Sequence, residues 1–275
     1  MGSPCELVCE CVKRGDASEL SQLAAEEAWR IEDKFSRYTG GSAVARINEA
    51  NGEAITVDDE TADLLDFAAT LFELSDARFD ITSGVLRHIW SSDGGTKIPR
   101  QADIETVRQN IGWSRVAWHR PELQMPKGME IDLGGIGKEY AVDRAAKRLR
   151  EEGAPPCLVN FGGDLATTAA PRVRRSWRVG IEGKTPDAPE RRIDLRQGAL
   201  ATSGDARRFL EKDGVRYSHI LDPRTGWPVP DAPRSITVAA ESCTQAGMIS
   251  TLAMLKGAEA EGFLEAQNVR WWCYR

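Results

Sequence analysis

Apolar residues recur at helical spacing in several stretches of the chain, and short unbroken apolar runs lie between them. Leu20, Leu23, Ala24, Ala28 and Ile31 line one face of a helix opened by Ser18-Glu19-Leu20 and closed before the glycine-marked loop Tyr38-Thr39-Gly40-Gly41. Leu64, Leu65, Phe67, Ala68, Leu71 and Phe72 repeat the pattern over 59–75, and further helices are predicted over 104–110, 140–152 and 244–256, the last ending at Gly257. The apolar runs predict strands over 4–12 (ending near Arg14-Gly15-Asp16), 116–118, 129–133, 157–161, 177–181, 199–203 and 235–240. The stretch 76–127, with Trp90, Gly94-Gly95, Pro99 and Trp113, reads as largely irregular, and the proline-bearing 185–190 as a hairpin loop. Strands and helices alternate without a strict βαβ period, so the expected class is α+β, and no linker composition divides the single domain expected over 1–275.

Composition narrows the function classes. Hydrophobic residues make up 41% and charged residues 28% of the 275, the proportions of an ordinary globular protein. With 36 basic against 42 acidic residues, the net charge of −6 offers no surplus to displace counterions from a phosphate backbone, which argues against a nucleic-acid partner. The cluster Arg172, Arg174, Arg175 and Arg178 is broken by apolar residues and reads as a solvated edge. No apolar stretch is long enough to span a bilayer, so no transmembrane segment is expected. The start Met1-Gly2-Ser3-Pro4-Cys5 has no signal-peptide pattern, which predicts a cytoplasmic protein, or a periplasmic or membrane-associated one if a leader precedes it. Cys5, Cys9 and Cys11 alternate along the first strand; without a CxxC pair or matching histidines they read as reduced thiols rather than a metal site.

Candidate chemistry gathers in glycine-rich turns. Asp132-Leu133-Gly134-Gly135-Ile136-Gly137-Lys138 joins a predicted strand to a helix, where backbone amides and the lysine attract an anion; a tight structural turn has the same composition. Its spacing is neither GxxxxGK[ST] nor GxGxxG. Asn160-Phe161-Gly162-Gly163-Asp164 repeats the turn after the next strand, with Asp164 as a cap. Asp222-Pro223-Arg224-Thr225-Gly226 defines a sharp reversal beside His219, while His88 and His119 read as structural.

These segments, with Phe79-Asp80-Ile81-Thr82, Thr202-Ser203-Gly204, Ser218-His219-Ile220-Leu221, and the earlier Met1-Gly2-Ser3, Tyr38, Ser42 and Arg46-Ile47-Asn48, resemble the ApbE family in order along the whole chain. The resemblance implies a bilobed, T-fold-like mixed sheet-and-helix fold and an Mg²⁺-dependent FAD:protein FMN transferase. Such an enzyme moves FMN from FAD to a Thr or Ser hydroxyl of an acceptor flavoprotein and releases AMP. It further implies that Met1, Tyr38, Phe79, Asp80, Ile81, Asp132, Lys138, His219 and Ile220 line the FAD site, with His219 relaying a proton. The carbonyl of Gly135 and the side chain of Thr251 are implied as metal ligands. Two positions depart from the family pattern. Gly247 stands where an Asp is expected, four residues before Thr251 on a late helix, so metal binding is expected to weaken, with water or Glu241 filling in and Gly247→Asp raising the affinity. Glu139 stands where a Gly is common and is expected to point outward. The alternatives to transfer are an FAD-binding homologue that has lost catalysis and an FAD pyrophosphatase.

Overall fold

Alternation in the apolar runs is realised as an antiparallel sheet with both faces covered. The computed structural model describes residues 3–10, 13–90, 98–182, 189–205 and 209–275. Strand β1 (Cys5–Cys9) leads into the long helix α1 (Arg14–Phe35), then α2 (Ala43–Glu49), β2 (Ala54–Thr56) and α3 (Asp59–Leu74). Helix α4 (Gln101–Arg108), the short strands β3 (Ala117–His119) and β4 (Glu122–Gln124), and helix α5 (Gly137–Glu151) follow. Next come β5 (Cys157–Phe161), β6 (Asp164–Thr167), β7 (Trp177–Glu182), β8 (Pro189–Leu195) and β9 (Ala199–Gly204). The chain closes with β10 (Phe209–Lys212), β11 (Val215–Ser218), β12 (Ser235–Ala240), α6 (Cys243–Leu255), α7 (Ala260–Glu265) and β13 (Arg270–Tyr274).

The chain divides into two compact units: Met1–Glu32, Ile136–Arg207 and Asp231–Arg275 form the first, Asp33–Gly135 and Arg208–Pro230 the second. The first is built on a six-stranded sheet in the order β1-β5-β6-β9-β12-β13, every neighbour antiparallel. Register sorts its side chains by period two. Leu158, Leu165 and Leu200 pack with Trp177, Ile181, Ile193 and Leu195 of the β7–β8 hairpin. Their neighbours Val159, Phe161, Ala166, Ala201, Ile236 and Val238 are buried and belong to the opposite face, on which α5 and α6 pack. Asp164, paired with Phe161 in register, and Ser203, paired with Ile236, belong to that helix-covered face too.

The second unit holds the three-stranded sheet β2-β4-β3, the β10–β11 hairpin, and a core of Leu86, Trp90, Ile104 and Leu210. Helix α3 starts where Asp58 accepts the amides of Glu60 and Thr61, with Asp59 and Glu60 placed favourably toward the helix dipole.

The α+β class holds. Local expectations fail where chain chemistry and packing compete. Helix α1 begins at Arg14 rather than near Ser18, with Asp16 in its first turn, so Arg14-Gly15-Asp16, near which the first strand was expected to end, is helical. Residues 129–133 form no strand; Glu130 makes only an isolated parallel bridge to Ser83. Helix α2, capped by Ser42 accepting the Ala45 amide, lies in a stretch with no predicted helix because it is short. Cys5 and Cys9 do alternate on β1, whereas Cys11, Gly94-Gly95 and most of the loop expected at 185–190 lie outside the described residues.

Candidate functional site

In the second unit the predicted positions around residue 132 are drawn together. The Asp132 amide donates to the Ile81 carbonyl at 2.8 Å, and its Oδ1 accepts the Gly134 amide at 2.9 Å. Asn48 pins the preceding residue, accepting from the Ile131 amide at 2.7 Å and donating to its carbonyl at 3.1 Å. Arg37 ion-pairs with Asp132 Oδ2, donates to the Tyr38 hydroxyl at 2.7 Å, and lies 4.9 Å from the Tyr38 ring centre. Tyr38 is 80% exposed, so its ring is presented to solvent. Phe79 and Ile81 are buried, and the Phe79 ring comes within 3.0 Å of where a Cβ on Gly135 would stand. Asp80 is buried and committed: Oδ1 accepts from the Thr82 amide and hydroxyl, and Oδ2 from the Trp113 amide.

His219 is exposed and Ile220 half-buried, just before the turn Asp222-Pro223-Arg224-Thr225-Gly226. That turn is locked. Gly226 has φ +72°, its amide donates to the Asp222 carbonyl at 2.7 Å, and its carbonyl accepts from the Trp90 indole at 2.8 Å. Burial works to raise the Asp222 carboxyl, but the Arg224 guanidinium, 2.6 Å away, outweighs it and holds Asp222 below the usual carboxylate range.

The first unit holds a second group. Lys138, in the first turn of α5, sits 2.6 Å from Asp164 Oδ2, while Asp164 Oδ1 accepts the Thr202 amide at 2.9 Å. The lysine contact is an ion pair. Glu139 corrects the expectation that it points outward: it is 8% exposed, and its Oε2 has no hydrogen-bond partner. Burial first, then the charge of Asp164, pushes Glu139 up to about 8, with Lys138 offsetting part of that. Burial also opposes the Lys138 charge, yet Asp164 and Glu139 hold it above the ordinary lysine value.

Four residues beyond Glu139 on α5, Asp143 caps α6, accepting from the Cys243 amide, the Thr244 amide and the Thr244 hydroxyl at 2.7–2.8 Å. Thr251 Oγ1 lies 2.9 Å from Ser203 Oγ, and Ser250 donates to the Gly247 carbonyl at 3.0 Å. Glu241 is exposed, its amide donating to Gln245. Among the described residues no group of three or more His, Cys, Asp or Glu stands together as a metal cluster. Met1 lies outside the described residues. Sequence reasoning missed Arg37, Asp143 and the burial of Glu139. Asp164 was expected to cap its glycine turn, but Asn160 does so, its Oδ1 accepting the Gly163 amide at 2.9 Å, and Asp164 is given to Thr202 and Lys138 instead.

Fold and site define the class first: an α+β protein whose antiparallel sheet gathers a lysine, two carboxylates and hydroxyls under its covering helices. The chain belongs to the ApbE family, whose sequence profile matches residues 1–271. An FAD:protein FMN transferase of Klebsiella pneumoniae is 30% identical over 275 residues, covering 94% of this chain and 81% of the relative. One from Vibrio cholerae is 30% identical over 250 residues, covering 88% and 73%. Among solved structures, the ApbE protein of Thermotoga maritima superposes with a TM-score of 0.89 at 31% identity, covering 99% of this chain and 91% of that one. The flavin transferase ApbE from Vibrio cholerae gives 0.84 at 26% identity, covering 99% and 90%.

Proposed function

We propose that this protein is an FAD:protein FMN transferase that moves FMN from FAD to a Thr or Ser hydroxyl of an acceptor flavoprotein. The supporting observation is the correspondence, over residues 1–271 and in fold, with proteins that bear that name. In the reaction the acceptor oxygen bonds to the FMN phosphorus, the bond from that phosphorus to the bridging oxygen breaks, and AMP leaves with the bridging oxygen. The hydroxyl proton passes to a base, for which the exposed His219 is the candidate.

Chemistry of this kind depends on positioning and on neutralising charge. Lys138 offers an ammonium at the N-terminus of α5, which has no side-chain cap, a combination suited to a phosphate. Tyr38 offers an exposed ring to a flat heterocycle. Phe79, Ile81, Asp132 and Ile220 are retained as FAD-lining positions, Asp80 through its backbone because its carboxylate is committed, and Met1 on the resemblance alone. When bound, Mg²⁺ supplies charge neutralisation at the phosphoryl oxygens. The donors of the first unit suit it: Glu139 Oε2 is a buried oxygen without a partner, and Thr251 carries a hydroxyl. The Gly135 carbonyl is retained as an oxygen donor of its own loop.

The test combines the protein with FAD, Mg²⁺ and a Thr-containing acceptor domain, reading the adduct by mass spectrometry and AMP by chromatography. Covalent FMN and AMP should appear together in equal amounts. FAD binding without an adduct, or AMP and FMN formed without acceptor, would overturn transfer in favour of a non-catalytic homologue or a pyrophosphatase.

A further inference from the structure

The two departures from the family pattern, a glycine at 247 and a glutamate at 139, meet in one place. A Cβ built on Gly247 would stand 2.5 Å from Glu139 Cγ, 3.0 Å from its Cδ and 3.1 Å from its Oε1. The two side chains therefore compete for one space, and with glycine on α6 the glutamate from α5 fills it. This accounts for a glycine in a helix interior, where it is unfavourable relative to Ala. We propose that the cation-binding carboxylate has been transposed between helices, from residue 247 on α6 to Glu139 on α5, so that Glu139 is the carboxylate ligand of a divalent cation. The inference rests on the Mg²⁺-dependent reading above.

Three further observations support it. Glu139 is 8% exposed, and its Oε2 faces no donor. A buried polar oxygen left without a partner is costly, so a residue kept in that state is matched to something that binds it. Its approach to α6 is fixed, because Asp143, one turn further along α5, holds the α6 N-terminus by three hydrogen bonds. Thr251, one turn beyond Gly247, keeps its hydroxyl on the Ser203 side of α6. Glutamate is one methylene longer than aspartate, which suits a donor reaching in from a neighbouring helix. The geometry also reverses the expectation that Gly247→Asp by itself raises metal affinity. With Glu139 present the new side chain would have to displace it.

Mn²⁺ titrations followed by the electron paramagnetic resonance of the free ion test this, in the presence of FAD and after subtracting the Mn²⁺ that FAD alone binds. Glu139→Gln keeps the shape and removes the charge; it should weaken Mn²⁺ binding by about tenfold or more, at least what an outer-shell partner's loss costs. The exchanged pair Glu139→Gly with Gly247→Asp should recover most of that loss, and it carries the test if Glu139→Gln does not fold. Wild-type Mn²⁺ affinity in folded Glu139→Gln, or an exchanged pair that folds but binds no better than Glu139→Gln, overturns the transposition alone. Absence of Mn²⁺ binding by the wild type overturns it together with the metal requirement.

Discussion

At the scale of single residues, the contact between Lys138 and Asp164 sets the electrostatics of the first unit's cluster. Asp164 is 1% exposed at its side chain and Lys138 34%, so the pair lies between the surface and buried limits. Removing the ammonium leaves a buried carboxylate whose counter-charge is gone, and Lys138→Met should destabilise the fold by about 1–3 kcal/mol. Adding Asp164→Asn removes the stranded charge, so the double variant should be more stable than the sum of the two single losses implies. Urea unfolding of the four proteins measures the coupling; strict additivity would show that the two side chains do not act as a pair. Glu139 illustrates what one residue's letter conceals. Beside Lys138 in sequence it reads as a surface charge on a helix, and nothing local says that the glycine opening a place for it lies 108 positions later (247 − 139).

At the scale of elements, helix ends and strand partners carry the interactions that hold the frame. Helix α7 is tied to the end of the chain by Glu261, which accepts from Arg275 Nε at 2.7 Å. The Arg275 hydrogen bonds outweigh burial and hold Glu261 down at about 2, against 4.5 for the free group. A depressed folded value means that the stabilisation is full above about 4.5 and is lost as pH falls through about 2. Glu261→Gln should therefore melt below the wild type at neutral pH, with the gap closing as pH drops through that window. A gap independent of pH would mean that the ion pair is not the source. Elements with strong patterns were legible: α6, β5, β9 and β12 fall within a residue or two of expectation because long amphipathic or fully apolar runs leave little choice. The 129–133 run is apolar enough for a strand, yet Asn48 takes both backbone groups of Ile131, so tertiary partners replaced a ladder.

At the scale of the molecule, neither compact unit is contiguous: the chain passes between them after residues 32, 135, 207 and 230. No single cut separates them, and each unit's fold needs segments on both sides of the other. We expect one cooperative thermal transition, with calorimetric and van't Hoff enthalpies equal; two resolved transitions would mean independently folding units. By itself the sequence determined the α+β class, the principal strands and helices, the glycine turns and the ApbE resemblance. All of these follow from local periodicity, from turn chemistry, or from motifs kept in order along the chain. The tertiary structure alone decided which polar groups are spent on the backbone, as in Asp80, and which are buried with an oxygen unmatched, as in Glu139. It also decided that the glycine at 247 and the glutamate at 139 occupy one space. Burial and close approach depend on residues far apart in the chain, and spacing along a sequence does not encode them.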